Sequence, residues 1–167
     1  MKEIKFNSLF IGKKNKKISL YYDKKYFNNC SKGEVIIKLK YSSINYKDVL
    51  ITKGNPGLVR KFPHVAGIDA IGTIEIASSS NFKKGEKVFV IGRPLGVNIH
   101  GSFSEYIKVP KIWVNKMPLN SSMKKIAFFG TPGLTAAYAI ENIVKNKRIN
   151  KSFPILISGA TGGVGTI

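Results

Sequence analysis

Ile155-Leu156-Ile157-Ser158-Gly159-Ala160-Thr161-Gly162-Gly163-Val164-Gly165 is the stretch on which the reading of this chain turns. An apolar run that follows Pro154 and passes straight into glycines predicts a buried strand feeding a tight turn. Two uses of that turn stand open. It is an ordinary Gly-rich turn, or it is where the backbone approaches a pyrophosphate whose charge rests on the N-terminus of a following helix. In the second use the contacts are Gly159, Gly162, Gly163, Val164 and Gly165. The spacing is Gly-x-x-Gly-x-x-Gly, not the commoner Gly-x-Gly-x-x-Gly, so the motif by itself does not choose.

The bulk properties narrow the choice. A chain of 167 residues, 43% of them hydrophobic, can bury one well-packed domain and begin another. No apolar run approaches the roughly 20 residues of a membrane span, and Met1-Lys2-Glu3-Ile4-Lys5-Phe6 has no signal-peptide h-region. A cytoplasmic protein without a membrane partner is expected. The single cysteine, Cys30, and the two histidines, His64 and His100, are too few for an internal disulfide or a structural zinc cluster, so no metal is expected.

The formal charge of +19, from 28 Lys+Arg against 9 Asp+Glu, invites a nucleic-acid reading. Arg60, Arg93 and Arg148 are the only arginines, however, and the lysines fall in scattered pairs such as Lys13-Lys14 and Lys83-Lys84. A binding stripe would be clustered, and no specific nucleic-acid partner is expected. The excess reflects either a coding bias at solvated positions or a general attraction for polyanionic ligands such as nucleotides or CoA esters.

Upstream, Ile4 to Ile11 and Ile18 to Tyr22 read as two short strands around a lysine-rich turn. Val35, Ile37, Leu39 and Tyr41 recur at a period of two, predicting a strand with one strongly apolar face. Asn45 is a good N-cap for a short helix from Tyr46 to about Ile51. Thr52 to Phe62 reads as a loop, with Arg60 free to face a ligand. From Pro63 to Ile76 small residues predict one bending strand, with His64 structural or at the surface. A loop centred on Ser78-Ser79-Ser80-Asn81 precedes an apolar strand ending at Val90, and Gly101 to Val109 reads as another. Short strands at this spacing, punctuated by glycine, predict a compact, partly open β-barrel.

Beyond Pro118 the composition changes. Ser121 or Ser122 can cap a helix through Phe129, and Thr131-Pro132 can start a second, with Thr131 as its cap. Ala136, Ile140, Ile143 and Val144 then form one expected buried stripe, closed by the basic tail from Lys145 to Lys151. The domain boundary falls near residue 120. Residues 1–120 form the barrel, and 121–167 carry bridging helices and the start of an α/β domain, from Phe153.

Six ordered blocks together resemble the medium-chain dehydrogenase/reductase superfamily. They are Asn45-Tyr46-Lys47-Asp48; Phe62-Pro63 through Gly67-Ile68-Asp69 to Gly72-Thr73; Phe82 through Val88; Gly101 through Tyr106; Gly130 through Ala136; and the terminal glycines. In detail they look most like the quinone oxidoreductase and acrylyl-CoA reductase branch. That resemblance implies a mainly β GroES-like barrel followed by the beginning of an NADPH-binding Rossmann domain. It implies hydride transfer to an activated double bond of a short enoyl-CoA such as acrylyl-CoA, or to a quinone, by a protein whose full-length form is a homodimer. Zinc-dependent members place a Cys near Asn45 and a His-Glu pair near Ile68-Asp69. Those ligands and the structural cysteines are missing here, which implies a zinc-free reductase.

By the same resemblance, Asn45 and Tyr46 stand at the nicotinamide and substrate, Tyr46 as the group that polarises or protonates, unless it is simply a half-buried barrel tyrosine. Thr131 looks like the nicotinamide-side contact, a role compatible with capping. Asp48 and Arg60 are either orienting or anion-binding groups or have structural and surface roles, and Asp69 reads as structural. A phosphate turn needs its helix, and the residues that choose NADPH over NADH lie about 20 residues further on. The 167 residues are accordingly expected to be an N-terminal fragment of a reductase about twice as long, inactive by itself. The competing expectation is a stand-alone barrel that works as a binding module.

Overall fold

A computed structural model describes residues 3–78, 81–146 and 154–167. The centre of the Ser78–Asn81 loop, most of the basic tail after Asn146 and the expected domain start at Phe153 lie outside the described residues.

The chain opens with a long antiparallel hairpin, β1 (Ile4–Lys14) and β2 (Lys17–Phe27), turned at Asn15 and Lys16 with positive φ. Both strands run further than their apolar residues suggest, because backbone pairing continues through the lysine-rich ends. β3 (Glu34–Tyr41) leads to helix α1 (Tyr46–Thr52), followed by β4 (His64–Val65), β5 (Ala70–Ala77), β6 (Lys87–Val90), β7 (Tyr106–Pro110) and β8 (Asn115–Lys116). The last element is α2 (Met123–Lys145). The strands form two sheets ordered β2-β1-β4 and β7-β3-β5-β6-β8. They are sewn together where Leu9 N donates to Phe103 O and Glu105 N to Asn7 O. The result is the expected partly open barrel.

Its interior is aliphatic, built around Val35, Ile37, Ile74, Val88, Val90 and Val109. At about 25 cal/mol per Å² of apolar surface, such a core is the main force holding the barrel. In β3, Ile36 is buried as well as Val35 and Ile37, so both faces of that part of the strand are covered. Further on, Leu39 is half-buried between exposed Lys38 and Lys40, but Tyr41, expected on the apolar face, is exposed.

The expected strand from Pro63 to Ile76 is broken. Ala66 to Asp69 separates β4 from β5, with Gly67 at a φ of 106°. A Cβ on Gly67 would come within 2.7 Å of the Ser102 and Phe103 amides, so the chain must leave the ladder here and can do so only as glycine. Residues 101–105 are likewise not strand, since Ser102 N and Phe103 N bond instead to Gly67 O and Ala66 O.

Two expectations for the last third are corrected, and one is met. The two predicted helices are both present in α2 and are separated at Gly130, whose φ of 49° and ψ of −150° are non-helical. The stripe at Ala136, Ile140, Ile143 and Val144 is not buried: Ile140 and Val144 are exposed, because no sheet covers that face among the described residues. Residues 154–157 form no strand, and Leu156 is 95% exposed. A strand exists only by pairing its backbone, and none of the described residues offers this segment an edge.

Candidate functional site

The break between β4 and β5 places Asp69 at the point where the barrel meets α2. Asp69 is fully buried, and its carboxylate gathers three donors from two distant parts of the chain. Asn45 Nδ2 donates to Oδ2 at 3.0 Å, Thr131 N donates to Oδ2 at 2.9 Å, and Thr131 Oγ1 donates to Oδ1 at 2.5 Å. The hydroxyls of Ser42 and Ser102 stand 3.1 and 2.5 Å from its carbonyl oxygen. A buried carboxylate is tolerated because these donors replace the water it has lost.

This arrangement changes the part assigned to Thr131. Gly130 is the non-helical residue before the second half of α2, and the amide left unpaired by the bend is taken up by Asp69. Thr131 is thus not the cap. Its hydroxyl is fixed by an acid from the barrel, and that acid caps the helix from outside. A carboxylate at a helix N-terminus also complements the helix dipole. Gly130 is required by the same contact, since a Cβ there would lie 2.5 Å from Asp69 Oδ2.

Asn45 occupies the predicted N-cap position of α1, with extended φ and ψ. Asp48 completes the cap in reverse, accepting Asn45 N at 2.8 Å, and its other oxygen accepts Gly67 N and Ile68 N, each at 3.1 Å. Asp48 is buried and committed to backbone amides, tying the start of α1 to the strand break at Gly67 and Ile68. Burial is the largest influence on its carboxyl and pushes its pKa above the usual value, partly countered by the bonds from Asn45 and Gly67. It orients the segment and is not placed to bind an anion.

Tyr46 follows Asn45 directly and is 78% exposed, so it is not a half-buried barrel side chain. Arg60 is exposed on the loop after α1. The structure thus joins Asn45 and Thr131 through Asp69, sets Tyr46 beside Asn45, and leaves Arg60 apart.

The glycine turn lies against the residue that follows Thr131. A Cβ on Gly163 would find Pro132, the neighbour of Thr131, at 3.6 Å. Gly162 N donates to Gly159 O, and Thr166 N donates to Gly162 O at 3.0 Å, which closes one helical turn. The amides of Gly163, Val164 and Gly165 have no acceptor among the described residues. Free amides at the start of a helical turn, on glycines that leave the approach open, suit a phosphate. Among the described residues no three His, Cys, Asp or Glu side chains converge as a metal site, and no helix is long and apolar enough to cross a membrane.

Sequence reasoning passed over Asp69 as structural. The one available signal was an acid set among small residues where a strand had to bend.

Residues 31–119 match the family model of the alcohol dehydrogenase GroES-like domain. The acrylyl-CoA reductase AcuI of Ruegeria pomeroyi is 37% identical over 135 residues, which are 81% of this chain and 41% of that protein. Among solved structures, Bacillus subtilis yhfP with NAD bound superposes with a TM-score of 0.89 at 36% identity, covering 98% of this chain and 50% of that one. The yhdH oxidoreductase of Salmonella enterica in complex with NADP gives 0.88 at 27% identity, covering 96% and 49%. The chain spans about two fifths of the length of the curated relatives it matches, 41% in the case of AcuI.

Proposed function

Since the chain belongs to the alcohol dehydrogenase GroES-like domain family, within the medium-chain dehydrogenases/reductases, we propose that it supplies the substrate barrel and phosphate turn of a zinc-independent NADPH reductase. Residues 1–120 form the catalytic barrel and 121–167 begin the cofactor domain in this reading. The preferred substrate is a short enoyl-CoA such as acrylyl-CoA, with a quinone as the second acceptor. The observation that carries the proposal is the shared Asp69 carboxylate, which fixes Asn45 and Thr131 against each other beside the glycine turn.

When bound, the reduced nicotinamide supplies hydride to the β-carbon of the activated double bond. The amides of Gly163, Val164 and Gly165 would hold the cofactor's pyrophosphate. Asn45 and Thr131, locked by Asp69, would contact the nicotinamide as a pre-ordered pair, so that little ordering would remain when substrate arrives. The Tyr46 hydroxyl beside Asn45 would donate to the substrate's thioester oxygen, where negative charge develops, or deliver the proton. Asp48 contributes indirectly by holding the Asn45 backbone.

The test is a side-by-side assay of the full-length protein with NADPH and NADH against acrylyl-CoA and a small quinone. Faster turnover of acrylyl-CoA with NADPH supports the assignment. Oxidation of a simple alcohol that requires added zinc contradicts it.

A further inference from the structure

In an unbroken α-helix the Thr131 amide would donate to the Ala127 carbonyl one turn back. The non-helical φ and ψ of Gly130 interrupt α2 between the two, and each of these groups has a partner on the barrel. Asp69 Oδ2 accepts the Thr131 amide at 2.9 Å, and the Ser43 hydroxyl donates to the Ala127 carbonyl at 2.5 Å. The two ties meet at Gly130, where a Cβ would lie 2.5 Å from Asp69 Oδ2 and 3.0 Å from Ser43 Oγ. Ser43 and Asn45 leave the same connection between β3 and α1, and Asn45 Nδ2 shares Asp69 Oδ2 with the Thr131 amide.

A glycine has no side chain to stiffen its two torsions, so a bend there is soft unless its flanks are held. Asp69 alone would act as a pivot for the half of α2 that carries Thr131. A second tie, on the other flank, fixes the angle. Ser43 and Ala127 are only half-buried, so water can replace the hydroxyl at the Ala127 carbonyl and satisfy it. Water cannot connect that carbonyl to the barrel. Removing the hydroxyl therefore costs precision at the bend and little stability.

We infer that Ser43 is a positioning residue, which together with Asp69 sets the bend at Gly130 and so the register between Asn45 on the barrel and Thr131 on α2. The inference rests on the nicotinamide reading of those two residues. Ser43 touches no part of the cofactor in this reading and acts only through the helix.

The experiment is calorimetric titration of the full-length protein with NADPH and with phospho-ADP-ribose, the same molecule with a hydroxyl in place of the nicotinamide. The glycine turn lies against Pro132, on the Thr131 side of the bend, so the phosphates of both ligands fall on that side and only the nicotinamide also meets Asn45. The parent binds NADPH more tightly than the fragment. Ser43→Ala lowers NADPH affinity about fivefold or more, and leaves the affinity for phospho-ADP-ribose and the urea midpoint in place. Ser43→Cys, close to serine in volume but a much weaker donor, shows the same split and serves if the smaller side chain disturbs the fold. Variants that keep the parent's preference for NADPH, or that lose affinity for both ligands equally, would overturn the role of Ser43 and leave the reductase reading standing. A parent that binds the two ligands equally would overturn the nicotinamide reading itself, and this inference with it.

Discussion

The carboxylate of Asp69 accepts both the backbone amide and the hydroxyl of Thr131, at 2.9 and 2.5 Å. One acid of the barrel therefore fixes the direction of the helix that carries the proposed nicotinamide contact. Asp69→Ala strands the Thr131 amide and Asn45 Nδ2 together, and we expect a loss of about 2–4 kcal/mol of stability in urea unfolding. Asp69→Asn keeps an oxygen for the Asn45 and Thr131 amides and should lose less than half as much. Adding Thr131→Val to Asp69→Ala should cost little more, since the contact is already gone. Equal losses for the Ala and Asn variants would mean that the carboxylate is not the tie.

Gly130 and Gly85 separate two costs that glycine conceals. Both have positive φ, 49° and 82°, but a Cβ on Gly130 would meet Asp69 Oδ2 at 2.5 Å, while one on Gly85 meets nothing within 4 Å. Gly85→Ala should cost about 1 kcal/mol for backbone strain alone. Gly130→Ala should cost clearly more and broaden the Asn45 and Thr131 amide resonances in an NMR spectrum. Similar unfolding midpoints for the two variants would contradict the packing described.

Acid should weaken the barrel before its carboxylates titrate. His100 is held to about 4, chiefly by burial, whereas an unfolded histidine titrates near its ordinary 6.5. Between those values the unfolded chain binds a proton that the folded chain refuses. This contribution to stability is complete above about pH 6.5 and declines as the pH falls toward 4, by up to about 1.4 kcal/mol per unit. His64, lowered mainly by burial, acts in the same direction. Urea midpoints that fall on acidification, with a shallower slope in His100→Gln, are the expected result. A slope unchanged by the substitution would exclude His100 as its source.

Tyr46 protrudes into solvent beside Asn45, so removing its hydroxyl should leave folding intact. In the full-length protein Tyr46→Phe should lower kcat by roughly tenfold or more with little change in the urea midpoint. Unchanged turnover would remove it from the mechanism.

The barrel was legible because its strands carry local signals: apolar periods, glycine breaks and the Asn45 cap. The bond network at Asp69 was not legible, since the chain reveals an acid but not which distant amides converge on it. The Ile155–Ile157 run misled for a related reason. Apolarity reports what a segment would bury, and burial depends on neighbours that these residues lack here. Likewise, the stripe on α2 was read correctly as a period of apolar residues and incorrectly as a covered face.

Transfer of deuterium tests the central claim most directly. The full-length protein, in buffer treated with a chelator, is given NADPH deuterated at the nicotinamide C4 together with acrylyl-CoA. The account predicts deuterium at the β-carbon of the propionyl product, a signal that falls steeply in Asp69→Ala. A product without deuterium, or a reaction that stops when zinc is removed, would contradict it.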